Sequence, residues 1–218
     1  GGMTSVAGGV PPRPQSKNAR RISPFYLARM PRERFTLAEA LKASGYRTGH
    51  CGKWHISKNH YDYPQPYQHG FEMSAHDRGV QVPMKPSRLA GFATTKSDDP
   101  YQLDENGFPF DTPQHAALDF IQTNKEEPFF LYYPVTLPHY PFQPTPDSLD
   151  WDPDRDPCFN DTRYFGDMVT YLDKLVGELV DFVTDEGLAD NTLVIFTSDN
   201  GTDHRIKSLQ GGVLVKGA

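Results

Sequence analysis

Asp199 and Asn200 set a carboxylate beside an amide carbonyl, directly after the apolar run Leu193-Val194-Ile195-Phe196 and just before Gly201. Two adjacent hard oxygen donors suit Ca²⁺ or Mg²⁺ better than a soft metal. Lys53 and His55 stand in Gly52-Lys53-Trp54-His55, and His139 stands between Pro138 and Tyr140-Pro141. One ammonium, two imidazoles and two oxygen donors together suit a metal-assisted attack on an anionic ester. The cation polarises the ester oxygens, Lys53 offsets their charge, and the histidines move protons. Each residue also has a plain structural reading. Ser198-Asp199-Asn200-Gly201 is turn chemistry. His55 can bond a backbone carbonyl, Lys53 can be a solvated strand-end charge, and His139 can simply stiffen a proline-rich loop. A shared position at the ends of strands is what favours the chemical reading over the plain one.

The elements around these residues supply that shared position. Thr36-Leu37-Ala38-Glu39 is a capping box, in which hydroxyl and carboxylate satisfy amides of a first helical turn. It opens a helix with Leu37, Ala40 and Leu41 on its apolar face, and Gly45 ends it. Tyr46 to Cys51 reads as a strand running into Lys53 and His55. Thr112-Pro113 opens a second helix with Ala116, Ala117, Phe120 and Ile121 buried. Pro128 to Val135 reads as a core strand leading to His139. The clearest helix runs from about Thr162 to Glu186. Its stripe is Phe165, Met168, Val169, Leu172, Leu175, Val176, Leu179 and Val183, and Gly187 stops it. Leu193 to Phe196 then reads as a strand buried on both faces.

Helix followed by strand recurs three times, which predicts an α/β fold with a mostly parallel central sheet flanked by helices. Ligands in such sheets gather at the carboxyl ends of the strands. Lys53, His55, His139 and Asp199 are therefore expected to face one cleft, within roughly 10 Å of each other. The chain divides into an extended loop over 1–34, a helix–strand unit over 35–57, an irregular substrate-side insertion over 58–111, and helix–strand units over 112–218. Tyr61, Tyr63, Tyr67 and His69 fall in the insertion, as pocket residues or as locally packed aromatics.

Composition narrows the classes further. Hydrophobic residues make up 37 % of the chain, with 20 prolines and 18 glycines, which describes defined elements joined by long irregular connections. A formal charge of −6 and a pI near 5.7 give no broad basic surface for nucleic acid. No apolar run approaches membrane-spanning length. Cys51 and Cys158 form neither a disulfide framework nor a metal-site spacing.

Three blocks, in order, carry a resemblance. FTLAEALKASGYRTGHCGKWH over Phe35–His55, PFFLYYPVTLPHYPF, and YLDKLVGELVDFVTDEGLADNTLVIFTSDNG resemble the sulfatase family of the alkaline-phosphatase-like superfamily. The resemblance implies that Lys53 binds the sulfate group and that His55 contacts the nucleophile. It implies that His139 binds the sulfate or assists the leaving oxygen, and that Asp199 and Asn200 are two ligands of a Ca²⁺ (or Mg²⁺) ion. It further implies a formylglycine nucleophile made from Cys or Ser in a C/S-x-P-S-R motif, a sulfated small molecule or glycan as substrate, and a periplasmic, secreted or lysosomal site of action.

The departures are as specific as the match. Nothing upstream of Phe35 fits the nucleophile motif. Met84-Lys85-Pro86-Ser87-Arg88 has Pro-Ser-Arg, but methionine stands where Cys or Ser is required, and it follows Lys53 rather than preceding it. Neither Cys51 nor Cys158 is followed by Pro-Ser-Arg. An N-terminal strand with paired aspartates is missing, Lys216 comes too early for the lysine of a Gly-Gly-Lys-Gly-like segment, and Lys207 is no better placed. The expectation is an interior slice of a sulfatase, truncated at both ends, with about half of an active site and no activity alone. Two alternatives stand beside it: a phosphodiesterase or phosphonate hydrolase of the same superfamily, since phosphate and sulfate esters share tetrahedral anionic geometry, and a catalytically dead binding domain.

Overall fold

The computed structural model describes residues 29–54, 56, 64–76, 108, 110–155 and 159–217. Helix α1 (Leu37–Ala43) starts with the expected reciprocal cap. Glu39 N–H donates to Thr36 Oγ1 at 3.2 Å, and Thr36 N–H donates to Glu39 Oε2 at 2.7 Å. The face it buries differs from the expected one. Leu37 is 64 % exposed, and Ala38 packs against Trp54 and Phe71 instead. A two-turn helix offers too narrow an apolar arc for spacing alone to say which side meets the sheet.

Strand β1 (Arg47–Gly52) is the axis of the sheet. It pairs in parallel with β2 (Met73–His76) on one side and with β3 (Phe129–Tyr132) on the other. Every residue of β1 after Arg47 is buried. Its side chains alternate as strand geometry requires. Thr48 and His50 face the layer that holds Phe71, Trp54 and α1. Gly49 and Cys51 face helix α2 (Asp111–Asn124). A Cβ at Gly49 would sit 2.9 Å from the Phe120 ring, so glycine is what lets α2 approach. Helices on both faces of a parallel sheet make the fold α/β, as expected. Among the described residues β3 is an edge strand of this sheet, with Tyr132 46 % exposed, rather than the core strand its composition predicts.

Helix α3 (Phe165–Asp185) follows a short 3-10 turn at Thr162–Tyr164. It buries Met168, Tyr171, Leu175 and Val183. The first three join Phe108, Phe110, Leu137, Phe142 and Ile206 in the largest apolar cluster. α2 and α3 are also joined by polar contacts. Gln114 Nε2 donates to Leu175 O at 2.9 Å, and the Tyr171 hydroxyl donates to Asp111 at 2.9 Å. Lys125 meets Glu186 at 2.5 Å near their C-terminal ends.

The Leu193–Phe196 run contradicts its expected burial and strand assignment. It forms no strand, and its four side chains are 84, 48, 76 and 70 % exposed. Among the described residues no strand pairs with it, so its backbone has no ladder to join. A β-prone composition describes a surface suited to a sheet and cannot create the neighbour. Beyond it, β4 (Lys207–Gln210) and β5 (Val213–Lys216) form an antiparallel hairpin. Gly211 and Gly212 turn it at φ +57° and +80°.

Candidate active site

Lys53 is the residue at which the central strand leaves the sheet. Gly52 makes the exit at φ +111°, and a Cβ there would lie 2.5 Å from Pro134 O, so no other residue fits without moving the backbone. Lys53 N–H donates to that same carbonyl at 2.8 Å. The segment that leads to His139 therefore leaves β3 alongside the segment that carries Lys53. Trp54, next in the chain, is buried and donates its indole N–H to Pro64 O at 2.8 Å. His55 lies outside the described residues, as do Tyr61, Tyr63 and the segment Met84 to Arg88.

His139 is half-buried in a turn closed by its own N–H to Thr136 O at 2.9 Å. Its ring stacks on Tyr140 with centroids 4.6 Å apart, and Nδ1 donates to Tyr140 O at 2.6 Å. With the Nδ1 proton held there, Nε2 carries the lone pair of the neutral ring. Burial holds this imidazole below its ordinary pKa. The Lys53 ammonium adds to the depression, while the Tyr140 carbonyl, Asp199 and Asp203 oppose it. Lys53 and Asp199 thus both act on His139 through their charge. Asp199 also raises the Tyr132 phenol, though less than burial does.

Asp199 and Asn200 are exposed. Asn200 gives its amide N–H to Gly201 O at 2.9 Å, which leaves its carbonyl oxygen as an acceptor. That donor set fits a hard divalent cation but provides two of the six or more oxygens Ca²⁺ takes. Among the described residues no group of three or more His, Cys, Asp or Glu could hold a metal ion. Cys51 is no nucleophile. It is fully buried, and burial pushes its thiol far above the usual range.

Sequence reasoning missed Asp203 and Arg205. Arg205 donates to Asp203 through Nε at 2.8 Å and Nη2 at 2.7 Å, which holds the Asp203 carboxyl well below the usual carboxylate range. The guanidinium lies 4.9 Å from the Tyr140 centroid and 5.4 Å from that of Phe142. One side chain thus joins the segment after Asn200 to the loop of His139. Local spacing showed only an Asp-x-Arg pair, and the aromatic partner lies 65 positions away. His69, a possible pocket residue, is fully buried near Trp54, with Glu39 Oε2 4.0 Å from its ring.

Lys53 and His139 lie beyond the carboxyl ends of β1 and β3, the edge at which ligands gather in a parallel α/β sheet. Residues 13–213 match the model of the Sulfatase family, and the chain belongs to that family. It is 30 % identical over 211 residues to an arylsulfatase of Hemicentrotus pulcherrimus, covering 88 % of this chain and 36 % of that protein. It is 31 % identical over 198 residues to arylsulfatase A of Homo sapiens, with 80 % of this chain and 37 % of the relative covered. N-acetylgalactosamine-6-sulfatase of Mus musculus shares 28 % over 189 residues, 79 % of this chain and 34 % of its own. The chain thus spans about a third of the length of these curated relatives.

Proposed function

We propose that this chain supplies Lys53, His55, His139, Asp199 and Asn200 to the active site of a sulfuric ester hydrolase. The observation that carries the reading is the coupling of Lys53 and Asp199 to one half-buried imidazole, His139, at the carboxyl edge of the sheet. Lys53 binds the sulfate oxygens through its ammonium. His139 stands beside it with Nε2 as its proton-accepting atom. An arriving sulfate monoester adds negative charge next to that ring and favours the imidazolium, which can then protonate the departing oxygen. His55, next to buried Trp54, serves as the base toward the nucleophile. Asp199 and Asn200 are the residues that would hold Ca²⁺ or Mg²⁺, which when bound offsets charge on the ester oxygens. A formylglycine, which would supply the covalent nucleophile, needs a C/S-x-P-S-R motif, and residues 35–218 contain none.

The relatives carry arylsulfatase and N-acetylgalactosamine-6-sulfatase as names, so a sulfated aryl compound or glycan is the proposed substrate class. The resemblance to the sulfatase family is the ground on which we place the enzyme outside the cytoplasm. No helix among the described residues is long and apolar enough to cross a membrane.

Hydrolysis of an aryl sulfate tests the reading. Residues 1–218 alone should show no turnover, and the reading frame extended upstream through C/S-x-P-S-R should show it. In that longer protein His55→Ala should lower turnover by roughly 10²-fold or more. Turnover of phosphate diesters in place of sulfates would favour the phosphodiesterase alternative. Sulfate-ester binding without any turnover would favour a binding domain.

A further inference from the structure

His50 sits in the middle of β1, and its imidazole has no exposed surface. An imidazole costs more to desolvate than an aliphatic side chain, so such a site calls for bonds that use it. Both nitrogens have partners. Nδ1 lies 3.1 Å from Ser74 Oγ on β2, and Nε2 lies 3.2 Å from the carbonyl oxygen of Lys53. A carbonyl can only accept, so the Lys53 contact is a hydrogen bond when Nε2 carries the proton. Nδ1 then accepts from the Ser74 hydroxyl. The ring is boxed by Trp54 at 5.2 Å and Phe71 at 5.6 Å, both edge-on, and by Tyr132 at 6.0 Å. Burial keeps it neutral, with its pKa lowered to about 4. It is a fixed donor aimed at one backbone oxygen.

That oxygen matters because of where Lys53 stands. β1 ends at Gly52, and the ladder to β2 closes at the Gly52–His76 pair. Past that point the Lys53 peptide needs other partners. Its N–H finds Pro134 O on the β3 side, and its C=O finds the His50 ring on the sheet face that holds Trp54 and Phe71. The two bonds pull on either end of one residue and fix the direction in which its side chain leaves the sheet. We propose that His50 is a positioning residue for Lys53, acting through the Lys53 carbonyl to hold the ammonium toward the carboxyl edge of the sheet. Its bearing on sulfate rests on the hydrolase reading above, whereas the contact itself does not.

Two measurements on the 218-residue chain test this without substrate or metal. Imidazole ¹⁵N shifts should show His50 of the wild-type chain in the Nε2–H tautomer at pH 7. Amide hydrogen exchange should show the Lys53 N–H exchanging about tenfold faster in His50→Leu, the effect of losing one buried hydrogen bond. Amides within β1 should change far less. His50→Gln, whose amide N–H can reach the same carbonyl, should restore most of the protection, and Ser74→Ala should leave Lys53 protected. An Nδ1–H tautomer overturns the proposal even if His50→Leu fails to fold. Unchanged Lys53 exchange in His50→Leu overturns it too, as does equal loosening of all of β1, which marks a merely structural core histidine. Failure of the aryl sulfate assay would sink the hydrolase reading and leave these outcomes unaltered.

Discussion

Lys53 and Asp199 reach the neighbourhood of His139 from two regions built in opposite ways. Lys53 hangs from a strand buried on both faces, and its backbone is held by Pro134 and His50. Asp199 follows four large apolar side chains that stay exposed, on a segment with no strand partner among the described residues. Among the described residues, an apolar side chain and a clamp tie the second region to the rest. Ile206 enters the main cluster, and Arg205 packs its guanidinium over Tyr140 and Phe142. The half that carries Lys53 is rigid by burial, and the half that carries Asp199 and Asn200 is tethered by a few contacts downstream of them. Burial of apolar surface is the dominant stabilising effect, so the two halves should answer very differently to the same truncation.

The largest expected effect comes from the packed region. Phe142→Ala removes a side chain with no exposed surface from the main cluster and should destabilise by about 3–5 kcal/mol. Phe196→Ala, at 70 % exposure, should change stability by no more than about 0.5 kcal/mol. Urea titrations of both variants measure the contrast. Equal losses would mean that the Leu193–Phe196 run is packed, and the comparison would fail.

Gly52→Ala sharpens the comparison at the exit of β1. A methyl group at φ +111°, 2.5 Å from Pro134 O, should destabilise by about 2–3 kcal/mol. Gly201→Ala, where a Cβ meets nothing within 4 Å, should be tolerated. A thermal melt of each variant reads the difference. An innocuous Gly52→Ala would show that the β1 exit has slack.

The legible part of this molecule is the part whose partners lie close in sequence. The Thr36–Glu39 cap, the α3 helix and the helix–strand alternation that yields β1 and β3 are local patterns, and each formed, although in the α3 stripe Val169 is 41 % exposed and Tyr171, outside the expected stripe, is buried. β2 was not legible. Met73 to His76 holds no β-branched residue, and its pairing with Gly49 to Gly52 is what makes it a strand. Leu193 to Phe196 failed the other way, having the composition of a strand and no neighbour. The β4–β5 hairpin has a readable signal in Gly211-Gly212, a turn pair followed by the β-prone run Val213-Leu214-Val215. Of the candidate site, Lys53, His139, Asp199 and Asn200 stood out because their residue types carry chemistry. Asp203 and Arg205 did not, because their role rests on contacts with a distant loop.

His50 makes the packed half sensitive to pH. Its folded pKa of about 4 lies below the unfolded value near 6.5, so between those values the unfolded chain binds the extra proton. Stability should therefore be intact above about pH 6.5 and fall by about 2 kcal/mol between pH 7 and pH 5. Urea midpoints at the two pH values measure it, and His50→Leu should remove that share of the dependence. A slope unchanged by the substitution would show that other groups carry it.

The smallest effect belongs to the tethered half. With two protein oxygens in place, Ca²⁺ should bind residues 1–218 weakly and stabilise them by less than about 1 kcal/mol at millimolar concentrations. Calorimetric titration checks this. Tight, stoichiometric binding that vanishes in Asp199→Ala would mean that the site is complete within these residues.

The central claim is that the rigid half and the tethered half meet at His139, and the titration of that one imidazole tests it most directly. Lys53 and Asp199 bias its protonation in opposite directions. Followed by NMR on the 218-residue chain, Lys53→Met should therefore raise the pKa of His139, and Asp199→Asn should lower it. Opposite displacements would establish one shared site. A His139 titration that moves with Lys53 and ignores Asp199 would contradict the account, leaving Asp199 and Asn200 on a segment apart from Lys53 and His139.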